Sequence, residues 1–549
     1  MRRLTPALTT CALVLTTLGT AGLTATGLVG SASAADADLP PGLARTLDRL
    51  VGTSPEVHRH GTEPSRQSAA EARAMAQRAV VGQDDRGNGE RFDEGPLVMP
   101  TSYPTQPELT VFPDNPDDAS DAGALWSHDE LAPQLTTWMG ESDRISTQVV
   151  GQSVQGRDLY LVTLTAPETV EETAQQTAWR ELIRTDPAAA AADSALQAGY
   201  KTPIWFSGNV HGNEWEGTDA IMDTIGSLVE STGEATDALL AGHRLYFSLS
   251  LNPDGRTLGQ RPGTLGLDIN RDMITSTTPE GVSFARTAHA VQALYAADLH
   301  GYTGVLQVEP CGPPHGDSYE YDLFIPHGYA IARQIEDEVL EAAIPGNPVV
   351  DTLTGLISQL EQVTGTGRIT IPYRDTPSGW DDYPPVFTAQ YAAYYGAVSS
   401  TVELPLPRSG ATQNPATAAV NTAVGVQVID SIVDYVTTNS DDMLANQIEI
   451  FRRGAAGEPK VQLTEANIAD VPGPDEWKPL WDVADDQNPV AYPRAYVIPV
   501  GEQQRSRGDA AEVVRHLLFH GIEVGTLDEE TTVGATTYPA GSYVVDMHQ

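Results

Sequence analysis

The pattern of apolar and polar positions separates a polar region at the start of the chain from an ordered body that begins near residue 122. Residues 35–121 are rich in Pro, Asp and Arg, with one helix-like patch, "QSAAEARAMAQRAVVG". The segment "RISTQVVGQSVQGRDLYLVTLT" then contains two β-rich runs around Gly151 and Gly156, which predicts a hairpin. We interpret residues 35–121 as a propeptide or an N-terminal arm, followed by a folded domain over residues 122–436.

Strand-like and helix-like segments alternate within this domain. The predicted strands are "TPIWFSGNV", "RLYFSLSLNPDG" and "ADLHGYTG". The predicted helices are "TVEETAQQTAWRELIR", "GTDAIMDTIGSLVEST" and "GVSFARTAHAVQALYAA". Such alternation predicts a mostly parallel sheet that is covered on both faces by helices. In sheets of this kind, functional sites form where the carboxyl ends of strands meet loops.

The end of the chain, residues 437–549, predicts a separate small α/β unit. "AYVIPV", "IEV" and "GSYVVDM" are strand-like. "DAAEVVRHLLFHG" predicts a helix with Asp509 as its N-cap, Glu512 at the third helical position and Gly521 closing it. The pattern gives this accessory unit no chemistry of its own.

The first residues are typical of an export signal. Arg2 and Arg3 precede an apolar run that ends in small residues, and "SASAADAD" offers a cleavage site after Ala34. A membrane anchor is the alternative, but the run is rich in Thr and Gly. We expect residues 1–34 to be a signal peptide, the protein to be secreted, and no membrane contact after the signal is removed.

Composition narrows the possible partners. The 549 residues include 32 basic and 74 acidic side chains, for a net charge of −42. Such a surface repels nucleic acid, so we expect none as a partner. The acidic run "FPDNPDDASDAG" could hold calcium, but its spacing does not fit the twelve-residue calcium loop, which favours an acidic linker. Without the signal peptide, Cys311 is the only cysteine, which excludes an intramolecular disulfide.

The stretch "SGNVHGNEWEG" carries the first candidate chemistry. His211 and Glu214 form either a polar turn at a strand end or two ligands of a metal, and Gly212 allows the tight turn that metal binding requires. A catalytic zinc needs three protein ligands and one open position. His300, in "AADLHGYTG", also follows a predicted strand and is the candidate for the third ligand.

Five segments occur in one order along about 200 residues: "HGNEWEG", "NPDG", "LDINRD", "DLHGY" and "STVELP". With this set, residues 122–436 resemble the zinc carboxypeptidases of the M14 family. The resemblance implies a mixed, mostly parallel eight-stranded sheet sandwiched by helices. It also implies one zinc ion per chain and the removal of C-terminal residues from peptides.

The resemblance assigns roles to individual residues. It implies that the zinc ligands are His211, Glu214 and His300, with Trp215 matching the tryptophan that usually follows. It implies that Asn270 and Arg271 hold the terminal carboxylate of the substrate. It implies that Glu403 is the general base that takes a proton from the attacking water. Taken alone, Glu403 would be interpreted as a strand-end glutamate in solvent, and only the other segments of the resemblance favour a base; the next acids to consider as base are Glu216 and Asp298.

Two parts of the family pattern match loosely. The segment "RTLGQRPGTLG" lacks the aromatic residue that accompanies the family's oxyanion arginine, so Arg256 and Arg261 are both candidates, and the short loop favours Arg261. Tyr383, in "SGWDDYPP", falls where the family has a lid tyrosine. Three later tyrosines compete for that role: Tyr391, Tyr394 and Tyr395. Thr388 falls near the position that usually selects the substrate side chain, but the alignment there is too loose to use.

The sequence thus predicts a secreted, monomeric zinc metallocarboxypeptidase that acts on peptides or proteins with a free C-terminus. One alternative is a deacylase or amidase of the same fold that acts on N-acyl amino acids or cell-wall peptides. Another alternative is a binding module that kept the fold and lost the chemistry.

Overall fold

A computed structural model describes most of the chain after residue 94. The described residues are 95–549 except 114, 123, 311–319, 373, 377–384, 407–414, 463, 465 and 471–492. The predicted signal peptide, the helix-like patch before residue 95, Cys311 and Tyr383 lie outside the described residues. All described residues belong to one compact unit.

A central sheet organises the body. Its strands are β1 (Ile145–Gln152), β2 (Asp158–Leu164), β3 (Thr202–Gly208), β4 (His243–Ser248), β5 (Tyr295–Gly301), β6 (Gln307–Pro310) and β10 (Val398–Leu404). They lie in the order β1-β2-β4-β3-β5-β10-β6. The four inner strands, β4, β3, β5 and β10, are parallel, whereas β1 and β2 at one edge and β6 at the other are antiparallel to their neighbours. The predicted hairpin is the β1–β2 pair.

The sheet differs from the predicted one in its number of strands. The described residues give seven strands, where the family resemblance implied eight. Beyond β6, Thr370 makes a single parallel bridge to Gln307. The chain then turns, because the Ile371 N–H is taken by the Asp375 carboxylate and Pro372 has no N–H to donate. Where an eighth strand was expected beside β6, the described residues form only the bridge between Thr370 and Gln307. A smaller sheet follows β6 in the chain and consists of β7 (Pro348–Asp351), β8 (Ile357–Gln359) and β9 (Gly367–Arg368).

Helices cover the sheet. They are α1 (His128–Glu141), α2 (Val170–Thr185), α3 (Pro187–Ala192), α4 (Ser194–Gly199), α5 (Glu216–Glu230), α6 (Glu234–Gly242), α7 (Pro253–Leu258), α8 (Pro279–Val291), α9 (Tyr321–Glu341), α10 (Thr388–Ala393), α11 (Pro415–Thr438) and α12 (Ser440–Ala456). The three predicted helices correspond to α2, α5 and α8. Helix α2 begins with a capping box, in which Thr169 and Glu172 satisfy each other's backbone N–H groups.

Alternating side chains divide the core into two layers. In β3, Ile204 and Phe206 pack into one cluster with α5, α9 and α11, whereas Trp205 packs into a second cluster with α8 and α10. This is the period-two pattern of a strand that is buried on both faces. The predicted mixed α/β architecture, with helices on both faces of the sheet, is confirmed.

Helix α11 is long and apolar enough to cross a membrane by length and composition, but 56% of its apolar window is buried inside the molecule. It packs against α5 and α9, and its buried residues Val428, Ile429 and Ile432 join the larger core cluster. These contacts are those of a core helix.

The body extends past both predicted boundaries. Tyr103 and Leu109, which precede residue 122, are buried, and Tyr103 pairs with Glu168. On the other side, α12 begins after residue 436 and adds Met443 and Leu444 to the core. The hydrophobic core is therefore completed by segments that composition alone assigned to flanking units.

The C-terminal unit, residues 494–549, is a small α/β structure as predicted. It contains β11 (Ala495–Ile498), α13 (Arg507–Phe519), β12 (Gly525–Thr526), β13 (Thr531–Val533), β14 (Thr536–Tyr538) and β15 (Tyr543–Asp546). The predicted N-cap, Asp509, is wrong: α13 starts two residues earlier, and the Ser506 hydroxyl accepts the Asp509 N–H. Gly521 follows the helix in a left-handed conformation, which fits its predicted closing role. The strand predicted at "IEV" is misplaced: residues 522–524 are not in a strand, and β12 begins at Gly525.

Candidate active site

The loop after β3 forms a tight turn that places two polar side chains together. The Gly212 N–H donates to the Arg261 carbonyl at 3.1 Å. A Cβ atom at this position would lie 2.1 Å from the backbone of Gly255, in the "NPDG" turn, so only glycine fits. The Asn209 side chain donates to the carbonyls of His211 and Glu214 from inside the loop. The two turns "HGNEWEG" and "NPDG" therefore pack directly against each other.

Three side chains converge at this turn. His211 Nδ1 lies 3.0 Å from Glu214 Oε2, and His300 Nδ1 lies 3.2 Å from each of those atoms. All three residues are buried. Within the described residues, they form the only group of three or more His, Cys, Asp or Glu side chains whose ligand atoms lie within 4.8 Å of one another.

The donor set fits zinc. A tetrahedral zinc ion with bonds of about 2.0–2.1 Å has ligand-to-ligand edges of roughly 3.3–3.4 Å, close to the observed triangle of nitrogen and oxygen atoms. The other ring nitrogen of each histidine faces a carboxylate: His211 Nε2 lies 3.2 Å from Asp268, and His300 Nε2 lies 2.6 Å from Asp298. Metal-binding histidines are typically oriented by such carboxylates. The three residues predicted as zinc ligands are therefore brought together in a suitable arrangement.

Strand register places Glu403 next to this group. Glu403 on β10 pairs with His300 on β5, and parallel strands in register point paired side chains to the same face. Strands lie about 4.8 Å apart, so Glu403 is one strand away from the ligand triangle. It is partly exposed, as a residue that meets a substrate should be.

Residues 136–319 match the family model for zinc carboxypeptidases. This segment, about a third of the chain, is similar to zinc carboxypeptidases. The resemblance that the motifs predicted is thereby confirmed, and a zinc cofactor is implied for the domain. The matched segment includes His211, Glu214 and His300 but ends before Glu403.

Solved structures of carboxypeptidases are distantly similar to this chain. The metallo-carboxypeptidase from Burkholderia cenocepacia is 17% identical with a TM-score of 0.37, over 57% of this chain and 70% of that one. The metallo-carboxypeptidase from Pseudomonas aeruginosa, in complex with (2-guanidinoethylmercapto)succinic acid, is 16% identical with a TM-score of 0.38, over 58% and 70%. Carboxypeptidase A from Helicoverpa armigera is 13% identical with a TM-score of 0.36, over 66% and 81%. None of the curated proteins compared with the chain matches it.

Charges around the ligands keep the carboxylates of the carboxypeptidase site ionised. Burial raises the pKa of Glu214, but the charges and hydrogen bonds of His211 and His300 outweigh burial and hold that pKa well below its ordinary value. Burial also raises the pKa of Asp298, and again the contact with His300 outweighs it, so that the pKa is lowered. An ionised carboxylate is the form that binds a metal cation.

The two candidate oxyanion arginines have different surroundings. Arg256 is fully buried; it contacts Asp219 at 3.1 Å and the carbonyls of Trp215 and Trp126, away from the ligand triangle. Arg261 is partly exposed, and its guanidinium lies 3.3 Å from both Glu214 and Asp268. The structure therefore places Arg261, the favoured candidate, beside the site and assigns Arg256 to the core.

The predicted carboxylate-binding pair lies on the short 3-10 helix Ile269–Arg271. The Asn270 side-chain oxygen accepts the Thr388 N–H at 2.9 Å, which leaves its amide nitrogen as the group that can donate to a substrate. Arg271 is exposed, stacks on the Phe387 ring at 4.3 Å and donates to the Asn270 carbonyl. Both residues lie next to Asp268, which contacts His211, so the pair borders the ligand group.

Other predicted residues have structural partners. Of the two alternative bases, Asp298 contacts His300, and Glu216 accepts a hydrogen bond from Tyr302. Among the competing tyrosines, Tyr391 and Tyr395 are buried and Tyr394 is exposed; Tyr383 lies outside the described residues.

Two functional positions were not recognised in the sequence as supports for the ligands. Asp268 contacts His211 and Arg261 and accepts the Asn270 N–H at 3.0 Å. Asp298 is held by the Ser207 and Thr388 hydroxyls and contacts His300. The spacing of Asp298 could have revealed it, since residues two apart on a strand share a face.

Proposed function

We propose that the protein is a secreted zinc-dependent metallocarboxypeptidase. The observation that carries this proposal is the triangle of His211, Glu214 and His300 ligand atoms, with Glu403 one strand away on the same face of the sheet. A binding module without chemistry would need none of these groups to be aligned. The family match supports a peptide-bond hydrolase more directly than any other class.

Each side chain has a role in hydrolysis. Zinc, when bound by the ligand triangle, polarises a carbonyl and lowers the pKa of a water molecule to about 7. Glu403 would accept a proton from the water that attacks the scissile carbonyl and would pass it to the leaving amine. Arg261 donates hydrogen bonds to the oxygen that becomes negatively charged. Its contacts with Glu214 and Asp268 hold its guanidinium at the edge of the site.

The substrate is a peptide or protein with a free C-terminus. Arg271 presents a planar fork that can donate two parallel hydrogen bonds to a carboxylate, and the Asn270 amide adds a third donor. The Phe387 ring beneath Arg271 restricts the orientation of the guanidinium. The proposal that the protein is exported is based on the N-terminal signal pattern. The acidic composition disfavours nucleic acid as a partner. We expect the enzyme to act as a monomer without membrane contact.

The proposal is tested with blocked dipeptides that differ only in a free or amidated C-terminus, and with a Glu403→Gln variant. The free form should be cleaved at least about 30-fold faster, because amidation removes the charge that Arg271 binds. Glu403→Gln should lower kcat by about 10²–10⁴-fold while zinc content stays at one per chain, since glutamine cannot accept the proton. The exposed Glu234→Gln substitution is the matched control. Equal cleavage of the two substrate forms would favour the deacylase or amidase alternative, and near-normal turnover of the variant would move the base elsewhere.

A further inference from the structure

The C-terminal unit contacts the carboxypeptidase body through a buried junction of ring side chains. His520, at the end of α13, is 7% exposed, and its Nδ1 lies 2.5 Å from the hydroxyl of Tyr391, which is 2% exposed. The Tyr395 hydroxyl donates to the His520 carbonyl at 3.0 Å and lies 3.0 Å from the Tyr391 hydroxyl. This junction is therefore specific and water-poor, unlike a loose contact between units.

Tyr391 lies on α10, and the first residue of α10 supports the catalytic site. The Thr388 N–H donates to Asn270 at 2.9 Å, and the Thr388 hydroxyl donates to Asp298 at 2.5 Å. Asp298 in turn contacts His300. Because α10 has only six residues, a shift of Tyr391 moves Thr388 as part of the same short helix. Asp298 also accepts a hydrogen bond from the Ser207 hydroxyl. A shift of Thr388 should therefore affect Asn270 more than Asp298.

The same junction reaches the segment that follows Arg271. The backbone of Ile274 lies close enough to His516 and His520 to affect the pKa of both rings. Ile274 and Phe519 pack against one hydrophobic cluster. The segment that carries Asn270 and Arg271, and the helix α10 that supports it, are thus both in contact with the C-terminal unit.

We propose that Tyr391 and His520 are positioning residues through which the C-terminal unit fixes Asn270 and Arg271 for the substrate carboxylate. This inference rests on the proposed function of that pair. Neither residue touches the reacting atoms in this arrangement; they act through α10. Loss of the Tyr391–His520 hydrogen bond should therefore weaken substrate binding without removing the metal or the general base.

The experiment compares Tyr391→Phe, His520→Ala and His520→Gln in the full chain. Tyr391→Phe removes one hydroxyl and keeps the ring, and we expect KM for a free-carboxylate dipeptide to rise about three- to tenfold, the effect of one lost hydrogen bond. Zinc content should stay at one per chain and kcat should stay within about twofold. His520→Ala should reproduce the rise in KM, whereas His520→Gln, which can still accept a hydrogen bond, should restore part of the loss. Tyr496→Phe, an exposed tyrosine in the same unit, is the control.

Hydrogen exchange gives a second readout that does not require activity. Tyr391→Phe should speed amide exchange in residues 268–276 and 388–393 and leave β3 unchanged. Unchanged KM together with unchanged exchange in both segments would overturn the inference, as would an equal fall in kcat and zinc content. If the unaltered chain cleaves no peptide, the proposed function fails, and the exchange result still decides whether the C-terminal unit positions these segments.

Discussion

The molecule contains two buried charged clusters, one around Arg256 and Asp219 and one formed by His211, Glu214 and His300, and they differ in how their charges are matched. In the Arg256–Asp219 cluster donors face acceptors: the two terminal guanidinium nitrogens of Arg256 contact Asp219 and two carbonyls, and Asp219 also accepts the Leu125 N–H. In the ligand cluster, potential ligand atoms point at one another, with two imidazole nitrogens 3.2 Å apart. Buried charges that face opposite charges and hydrogen-bond acceptors need no further partner. Ligand atoms that face one another need a cation between them. We infer that the first cluster stabilises the fold and the second binds the metal.

The largest expected effect comes from removing a ligand. His300→Ala should reduce zinc from one per chain towards zero and lower peptidase activity to background, since two remaining ligands cannot hold a catalytic zinc. Metal analysis of the purified variant measures this. His327→Gln, at a histidine that bonds to Tyr435 outside the cluster, should keep the metal. Full zinc content in His300→Ala would contradict the inference that the ligand cluster binds the metal.

Arg256→Met tests the matched cluster. This substitution leaves Asp219 buried without its cation and should lower the free energy of unfolding by about 3–5 kcal/mol. Urea denaturation measures the loss, and the folded fraction should bind zinc normally. Arg184→Met, which breaks a surface pair with Glu181, should cost less than about 1 kcal/mol. A stable Arg256→Met protein with impaired catalysis would indicate that Arg256 acts in catalysis and does not stabilise the fold.

Arg261→Gln tests the other arginine of the same loop. Arg261 is partly exposed, so its removal should change the free energy of unfolding by less than about 1 kcal/mol. If it stabilises the oxyanion, kcat should fall about 10²–10³-fold, the usual loss for one such donor. Steady-state kinetics with zinc content as a control separate this effect from damage to Glu214. Normal kcat would show that another donor serves the oxyanion.

The sequence could predict the ligand set because each ligand lies at a strand end in a short motif. Glycine at 212 and the "NPDG" turn also implied a tight loop, which the packing of Gly212 on Gly255 explains. The sequence favoured Arg261 over Arg256 by loop length alone, because both follow the same turn and only three-dimensional packing buries Arg256. Similarly, the roles of Asp268 and Asp298 depend on which histidine nitrogen each one meets.

The remaining errors have local causes. An eighth strand was expected from the family, but the turn after Ile371 limits pairing with β6 to one bridge. Asp509 looked like an N-cap because it precedes an apolar periodic run, yet Ser506 offers the same chemistry one turn earlier. The contact between His520 and Tyr391 joins positions 129 residues apart and has no local sequence signal.

The smallest expected effect concerns Glu280, a buried acid that belongs to neither cluster. Burial raises the pKa of Glu280 from 4.5 to about 7, and the nearby Asp254 adds to the rise. The protonated side chain therefore contributes stability that is full below about pH 4.5 and is lost as the pH rises through about 7.

Glu280→Gln keeps the neutral shape and can still accept the Val154 N–H. We expect it to raise the free energy of unfolding at pH 8 by at most about 3 kcal/mol and to change it little at pH 4.5. Urea denaturation of both proteins at the two pH values measures the difference. An equal effect at both pH values would mean that the pKa of Glu280 is the same in the folded and the unfolded protein, and burial would then not raise it.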